Sequence, residues 1–210
     1  MKGADNQLSK AGGGRPLRPN TPTVYPYRSV MRIITGSAKG RKIKTASKGV
    51  RPMTARVRKS VFDTLGDLHG AHVLDVFAGS GALGIECLSR GADSAVFVEK
   101  SPQVAEVIHN NIKQCGFEDR CKVIRADYRK AAEILTESGR KFDLVFIMPP
   151  YSLYKKISES ELEARFSSLL SQNGRIVIEY ETGGEDGGGH SGEKRVTKRY
   201  GGTTVSIISP

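Results

Sequence analysis

The chain has no run of 18 or more apolar residues, no closely spaced cysteine pair and, through its first 60 residues, almost no acid. The first lack excludes a membrane-spanning helix, and the leading stretch MKGADNQLSKAGGGRPLRPN has no apolar centre of the kind a secretory signal needs. Cys87, Cys115 and Cys121 are odd in number and scattered without a CxxC pair, which argues against a disulfide framework and against a zinc site. A reduced, cytoplasmic setting is expected. His69, His72, His109 and His190 show no ligand spacing, so no metal is expected. The want of acid is the most informative lack. Residues 1–60 carry 15 Lys/Arg against the single acid Asp5, a local +14, whereas residues 61–210 carry 18 against 21, or −3. The net +11 is therefore concentrated at one end, which suits a polyanion-binding surface on a nearly neutral body, with nucleic acid as the leading partner.

With 210 residues and 38% hydrophobic content, the chain can bury one main core without covalent staples. Residues 1–30, rich in Gly, Pro and Asn, read as a flexible basic extension. Residues 31–210 read as the folded domain, with a basic hairpin and helix over 31–66 and the main core over 67–210. MRIITG and GRKIKTA form a short two-stranded pattern with Lys39, Arg41, Lys42 and Lys44 between and on the strands, a plausible cover for a site. Thr54 can cap a helix in which Val57, Val61, Phe62 and Leu65 share a face, while Arg56, Arg58 and Lys59 decorate its remaining surface.

Strand patterns at 72–76, 94–99, 122–125 and 142–147 then alternate with helical patterns near 82–90, 103–115 and 129–138. That alternation calls for a parallel sheet with helices on both faces. A helix near 161–171 and strands at 175–180 and 203–208 follow. The last strand has no crossover helix, so it should return antiparallel and complete a seven-stranded mixed sheet. The glycine-rich acidic stretch 183–192 reads as a mobile loop. The expected architecture is α/β and Rossmann-like, with ligands at the carboxyl ends of the first four strands.

Two loop motifs carry the chemistry. In VLDVFAGSGALG, residues 73–84, a strand bearing the acid Asp75 runs through Phe77 and Ala78 into Gly79, Gly81 and Gly84, which let backbone approach a ligand where a helix begins. The same glycines satisfy GxGxxG, so a nicotinamide or flavin oxidoreductase is an alternative. Both readings use Glu99, at the end of the second strand beside Lys100, to accept from ribose hydroxyls. They part at Asp75. An acid facing the loop repels a pyrophosphate and attracts the α-amino group of a sulfonium cofactor, which favours S-adenosyl-L-methionine. Asp127, after the third strand, can accept from an adenine amino group while Tyr128 covers the ring; alternatively Asp127 simply caps a helix.

The second motif, Met148-Pro149-Pro150-Tyr151, ends the fourth strand. Its prolines stop the strand and fix the loop. An exocyclic amino group on a base is a poor nucleophile because its lone pair is delocalised into the ring. An enzyme must orient it and stabilise the positive charge that builds on nitrogen. The Pro149 carbonyl and a side-chain oxygen at position 148 would do this, with Tyr151 stacked on a base taken out of its helix.

The order VLDVFAGSGALG, VFVEK, RADY and PPY, with the leader MRIITGSAKGRKIKT and RPMTARVRKSVFDTL, resembles the bacterial 16S rRNA guanine-N2 methyltransferases of the RsmD type from about Met31 onward. The resemblance implies a class I S-adenosylmethionine-dependent methyltransferase fold, with the cofactor at Asp75, Gly79, Gly81, Glu99 and Asp127. It also implies a guanine of small-subunit rRNA held by residues 148–151. The RNA, as naked 16S rRNA or an assembling 30S subunit, would be gripped by the leader and by the segment from Arg51 to Lys59. A monomer is expected. The departure is Met148, where the family pattern is (D/N)PPY and methionine offers only a weakly accepting thioether. Losing one polarised acceptor predicts a cost of roughly 1 to 3 kcal/mol, about ten- to more than a hundredfold in rate. A non-catalytic RNA-binding homologue is therefore one alternative. A DNA adenine-N6 methyltransferase, which shares PPY, is a lesser one because no separate target-recognition domain is present.

Overall fold

The computed structural model describes residues 30–45, 53–182 and 194–209. The expected extension at 1–29, Arg51 and the 183–192 stretch lie outside the described residues. Strands β1 (Val30–Arg32) and β2 (Lys42–Lys44) pair antiparallel, with Met31 opposite Ile43. Helix α1 (Ala55–Leu65) starts where the Thr54 hydroxyl accepts from Val57 N at 3.3 Å, satisfying one of the free amides of the first turn. Val61, Phe62 and Leu65 form its buried face.

The predicted alternation follows as β3 (His72–Val76), α2 (Ala82–Ser89), β4 (Ser94–Val98), α3 (Pro102–Cys115), β5 (Cys121–Ile124), α4 (Tyr128–Glu137) and β6 (Phe142–Ile147). Helix α5 (Glu159–Ser167) begins and ends earlier than its periodicity suggested. Ser158 and Glu161 form a reciprocal capping box that fixes its start, and the chain is already extended again in β7 (Leu170–Glu181). Strands β8 (Lys194–Tyr200) and β9 (Thr203–Ser209) complete a seven-stranded sheet of order β5-β4-β3-β6-β7-β9-β8. Strands β3 to β7 run parallel, and β9 is antiparallel to both of its neighbours. Strand β8 escapes a search for apolar alternation because KRVTKRY is an exposed, cation-rich edge, a composition that discourages edge-to-edge pairing. It is fastened to α5 by Arg195, which donates to the buried Glu159 and Glu163 at 2.6 and 2.7 Å.

Apolar residues cover both faces of the sheet, which is why the parallel strands read as nearly continuous hydrophobic runs. One face packs Val73, Phe97, Leu144, Phe146 and Val177 against Phe62, Leu88 and Ile108, and Ile33, Ala38 and Ile43 of the hairpin join it. The other packs Leu74, Val98, Val145 and Ile147 against Leu135, Leu162 and Phe166. At roughly 1.5 to 3 kcal/mol per fully buried large aliphatic side chain, Ile33 and Ile43 bind the leader firmly to the body, and Ala38 adds a smaller contact.

Polar contacts complete the latch. Ile34 N and Thr35 N donate to the two carboxylate oxygens of buried Glu86 at 2.7 and 3.0 Å. Ser37 N donates to Ser89 O at 2.8 Å. Gly36 has φ +86°, and a Cβ there would fall 1.7 Å from Ser89 O, so backbone meets backbone where only glycine fits. Arg58 belongs to this latch, which corrects its expected place on an RNA-facing surface: it is 2% exposed and donates to Arg32 O at 2.7 Å. It sits at the fourth position of α1, in line with Phe62 and Leu65 on the buried face at i, i+4 and i+7, and the hairpin folds over it. Burial pushes its guanidinium pKa down, an effect that nearby Glu86 opposes. Among the described residues, no helix is long and apolar enough to cross a membrane.

Candidate active site

Val76 pairs with both Val98 and Ile147, and Val98 pairs with Ile124, so the four neighbouring parallel strands β5, β4, β3 and β6 end level. The chain leaves these tips at Phe77, Glu99, Arg125 and Met148. Ala78 N donates to Val98 O at 3.0 Å, and Glu99 N to Ile124 O at 3.1 Å, lacing neighbouring loops together. The glycine loop and the Pro-Pro-Tyr loop therefore open along one edge of the sheet, from adjacent strands.

In the glycine loop, Phe77 has φ 63°, the only positive value for a non-glycine among the described residues. Such a conformation is disfavoured for an aromatic residue and recurs where a loop is held for a task. Gly79 and Gly81 follow at φ 56° and 75°, and Gly81 caps α2 without a side chain of its own. The amide of Gly84 donates to Asp75 Oδ2 at 3.1 Å. Asp75 is 1% exposed, and burial pushes its pKa up to about 7, with the Gly84 amide opposing the rise and Glu99 adding to it. It lies beneath the loop, tying strand β3 to the start of α2, rather than on the loop's outer surface as its expected attraction for a ligand amine required. Gly84 has a packing reason of its own, since a Cβ there would come within 2.4 Å of the Phe97 ring.

Glu99 is half-buried at the second tip and accepts from Gly79 N at 3.2 Å and Ser101 N at 2.8 Å. It thus holds the glycine loop from the neighbouring strand. Asp127 caps α4 by accepting from Arg129 N at 3.1 Å, with the exposed Lys100 ammonium 3.9 Å away. Tyr128, expected to face a ligand ring, is instead 4% exposed, with its ring packed 5.2 Å from that of Phe77. The first turn of α4 directs it down into the core, and Phe77 is the half-buried member of the pair.

At the fourth tip, Met148 is half-buried against the apolar face that includes Phe146 and Val177, and Pro149 is buried. Tyr151 opens a short 3-10 turn, Tyr151–Lys155. Its hydroxyl lies 3.1 Å from Glu179 Oε1 and 2.9 Å from Thr203 Oγ1, and the Tyr154 hydroxyl donates to Glu179 O at 2.6 Å. Burial raises the Tyr151 pKa, so the phenol stays protonated; burial also raises that of Glu179, which the Tyr151 hydrogen bond opposes. Glu179 and Thr203 were missed in the sequence reading. The available signal was the apolar run Ile176-Val177-Ile178 ending in an acid on the strand beside the Pro-Pro-Tyr loop.

The leader's cations are not gathered in one place. Lys39 and Arg41 lie in the hairpin turn, near the carboxyl-terminal ends of α2 and α3, where Arg41 donates to Gln114 O. Crossover helices run back from the strand tips, so this is the far edge of the sheet. Lys44 is at the near edge. Its amide donates to Asn111 Oδ1 at 2.9 Å, and Asn111 Nδ2 donates to both Lys44 O and Ser80 O at 2.8 Å. Asn111, fully buried, thereby joins strand β2 to the glycine loop. It too was missed, since one asparagine on the inner side of a helix gives no local pattern. Lys42 and Arg56 are exposed, and Lys59 is exposed and paired with Asp63 at 2.6 Å. Two shallow hollows, one beside α4 at Glu133 and Arg165 and one around Asp67 and Asp143 at the far edge, lie away from these strand tips.

A glycine loop, a second-tip acid and a Pro-Pro-Tyr loop along the tips of a parallel sheet closed by an antiparallel pair define a Rossmann-like class I methyltransferase fold. The chain belongs to the family described as Conserved hypothetical protein 95, whose model matches residues 31–209. It is 37% identical over 151 residues to Ribosomal RNA small subunit methyltransferase D of Escherichia coli (strain K12), covering 71% of each chain. It is 36% identical over 158 residues to the protein of the same name from Haemophilus influenzae, covering 72% of this chain and 79% of that one. Among solved structures, yhhF from Escherichia coli superposes with a TM-score of 0.73 at 28% identity, covering 86% of this chain and 98% of the other.

Proposed function

We propose that the protein transfers a methyl group from S-adenosyl-L-methionine to the exocyclic N2 of a guanine in 16S rRNA. The observation that supports this reading is the level ending of four neighbouring parallel strands, from whose tips the glycine loop, Glu99, the Asp127 loop and residues 148–151 continue. Similarity to proteins named Ribosomal RNA small subunit methyltransferase D supports RNA as the substrate class. The residues fit the cofactor. Gly79, half-buried at φ 56°, leaves bare backbone on the loop, buried Gly81 lets α2 start close against Phe97 and Ile108, Glu99 offers carboxylate oxygens for ribose hydroxyls, and Asp127 offers an acceptor for an adenine amino group. When bound, S-adenosyl-L-methionine supplies an electrophilic methyl on a sulfonium and needs no metal to do so.

The protein's own work is to orient and exclude. Ala78, Gly79 and Gly81 shape the cofactor cradle, with Asp75 holding it from below, and Lys100 adds a cation at its rim. The Pro149 carbonyl accepts an N–H of the target amine, while Tyr151, tethered through its hydroxyl, presents its ring to the base. Lys42, Lys44, Arg56 and Lys59 hold phosphates, with Lys39 and Arg41 as outlying contacts. Met148 supports a second reading, a weakly active RNA-binding homologue, because its side chain lacks a strong acceptor.

The test is incubation of the purified chain with labelled S-adenosyl-L-methionine and undermethylated 30S particles or 16S rRNA, followed by nucleoside mass spectrometry. The expected product is N2-methylguanosine. Label on adenine N6, or cofactor binding without transfer, would overturn the proposed reaction.

A further inference from the structure

The crevice holds a carboxylate that the roles above leave unused. Phe146 pairs with Val177 and Ile147 with Ile178, so Met148 and Glu179 are the next residues beyond the paired ends of β6 and β7. Side chains alternate across a sheet. Phe146 and Val177 lie in the apolar cluster on one face, and Met148 packs against the same cluster. Glu179, two residues after Val177 and paired with Val205 of that cluster, projects to this face too. The methionine and the glutamate are therefore side-by-side neighbours at the mouth of the crevice.

Glu179 is also held in place. The Tyr154 hydroxyl fixes its carbonyl at 2.6 Å, and the Tyr151 hydroxyl fixes Oε1 at 3.1 Å. Among the described residues, Oε2 takes no protein donor. A half-buried carboxylate steadied on one oxygen, beside a loop built to grip a planar amine, is well placed to accept an N–H on the other.

We propose that Glu179 is a catalytic residue that accepts the proton shed by the exocyclic amino group on methylation, the acceptor that Met148 does not supply. This rests on the methyl-transfer reading above. The amine lone pair forms the N–C bond while the C–S bond of the sulfonium donor breaks and its electron pair stays on sulfur. The nitrogen, now bearing the methyl, two hydrogens and a positive charge, gives one proton to Glu179 and becomes a neutral secondary amine. The glutamic acid then returns that proton to water.

The test compares single-turnover methyl transfer by full-length wild type, Glu179→Gln, Glu179→Asp and the double variant Glu179→Gln/Met148→Asp, with S-adenosylhomocysteine affinity measured on each by calorimetry. Loss of a general base predicts a rate for Glu179→Gln lower by about a hundredfold or more. Cofactor affinity should hold within about twofold, because Glu179 makes no contact with the cofactor cradle. Glu179→Asp should outperform Glu179→Gln, and Met148→Asp should restore at least about tenfold to the Gln variant by supplying a carboxylate from the neighbouring strand. A purely structural Glu179 predicts the reverse order, with isosteric Gln better tolerated than Asp and no rescue from position 148. A Gln variant within about threefold of wild type, or a double variant no faster than Gln alone, overturns the assignment. Wild type that binds S-adenosylhomocysteine and transfers no methyl overturns the proposed function itself, and the assignment with it.

Discussion

Replacing Asp75 with Asn should remove a pH dependence of stability that the wild-type fold carries beneath its glycine loop. Burial raises the Asp75 pKa from its ordinary 3.8 to about 7. Between those values the unfolded chain has already released the proton while the folded chain retains it. Each step up in pH therefore favours unfolding, and the loss is complete just above pH 7. A rise of close to three units, at about 1.36 kcal/mol per unit, is roughly 4 kcal/mol, an order-of-magnitude figure for a fully buried carboxyl. Asparagine keeps an oxygen for the Gly84 amide and has no charge to desolvate. Asp75→Asn should match wild type near pH 4 and exceed it by up to roughly 4 kcal/mol near pH 8. Urea unfolding of both proteins across this range, followed by circular dichroism, gives the difference directly. Other titrating groups cancel between the two proteins. Stability curves that stay parallel from pH 4 to pH 8 would show that Asp75 ionises normally in the fold and would refute the reasoning.

Asn111→Ala removes the partner of Lys44 N, Lys44 O and Ser80 O, and should destabilise the protein by about 3 kcal/mol and weaken S-adenosylhomocysteine binding, read by thermal melting and calorimetry. Arg58→Ala should lower stability by a similar amount with little change in the salt dependence of RNA binding, because Arg58 is part of the hairpin latch. Lys42→Gln/Lys44→Gln should instead leave the melting temperature nearly unchanged and reduce the slope of log affinity for 16S rRNA against log salt by about 1.5 to 2; Lys39→Gln, at the far edge, should do less. Met148→Asp should raise the single-turnover rate about ten- to a hundredfold by restoring a strong acceptor at the tip of β6, measured as labelled methyl incorporated into undermethylated 30S particles.

The strand and helix alternation from residue 72 to residue 147 was legible because buried parallel strands leave uninterrupted apolar runs, and Thr54 and Asp127 mark helix starts with hydrogen bonds that follow from local chemistry. The glycine loop and the Pro-Pro-Tyr loop were legible as loops at strand tips because each motif is written in consecutive residues. What escaped was written across the chain. Strand β8 owes its place to its antiparallel pairing with β9 and to Arg195 meeting Glu159 and Glu163 of α5 rather than to apolar alternation. Arg58 reads as one more cation on a basic helix until the hairpin is seen folded over it. Tyr128 follows the capping Asp127 in sequence, yet the helix turn directs its ring into the core. Glu179 and Asn111 gain meaning only from partners 28 and 31 or more residues away, Tyr151 for one and Ser80 and Lys44 for the other.

A crystal structure of the protein with S-adenosylhomocysteine tests the shared crevice most directly. The ligand should lie across the tips of β3, β4 and β5, with its ribose on Glu99, its adenine beside Asp127 and its sulfur facing residues 148–151. A ligand bound away from these tips, or one whose sulfur is turned from the Pro-Pro-Tyr loop, would contradict the account.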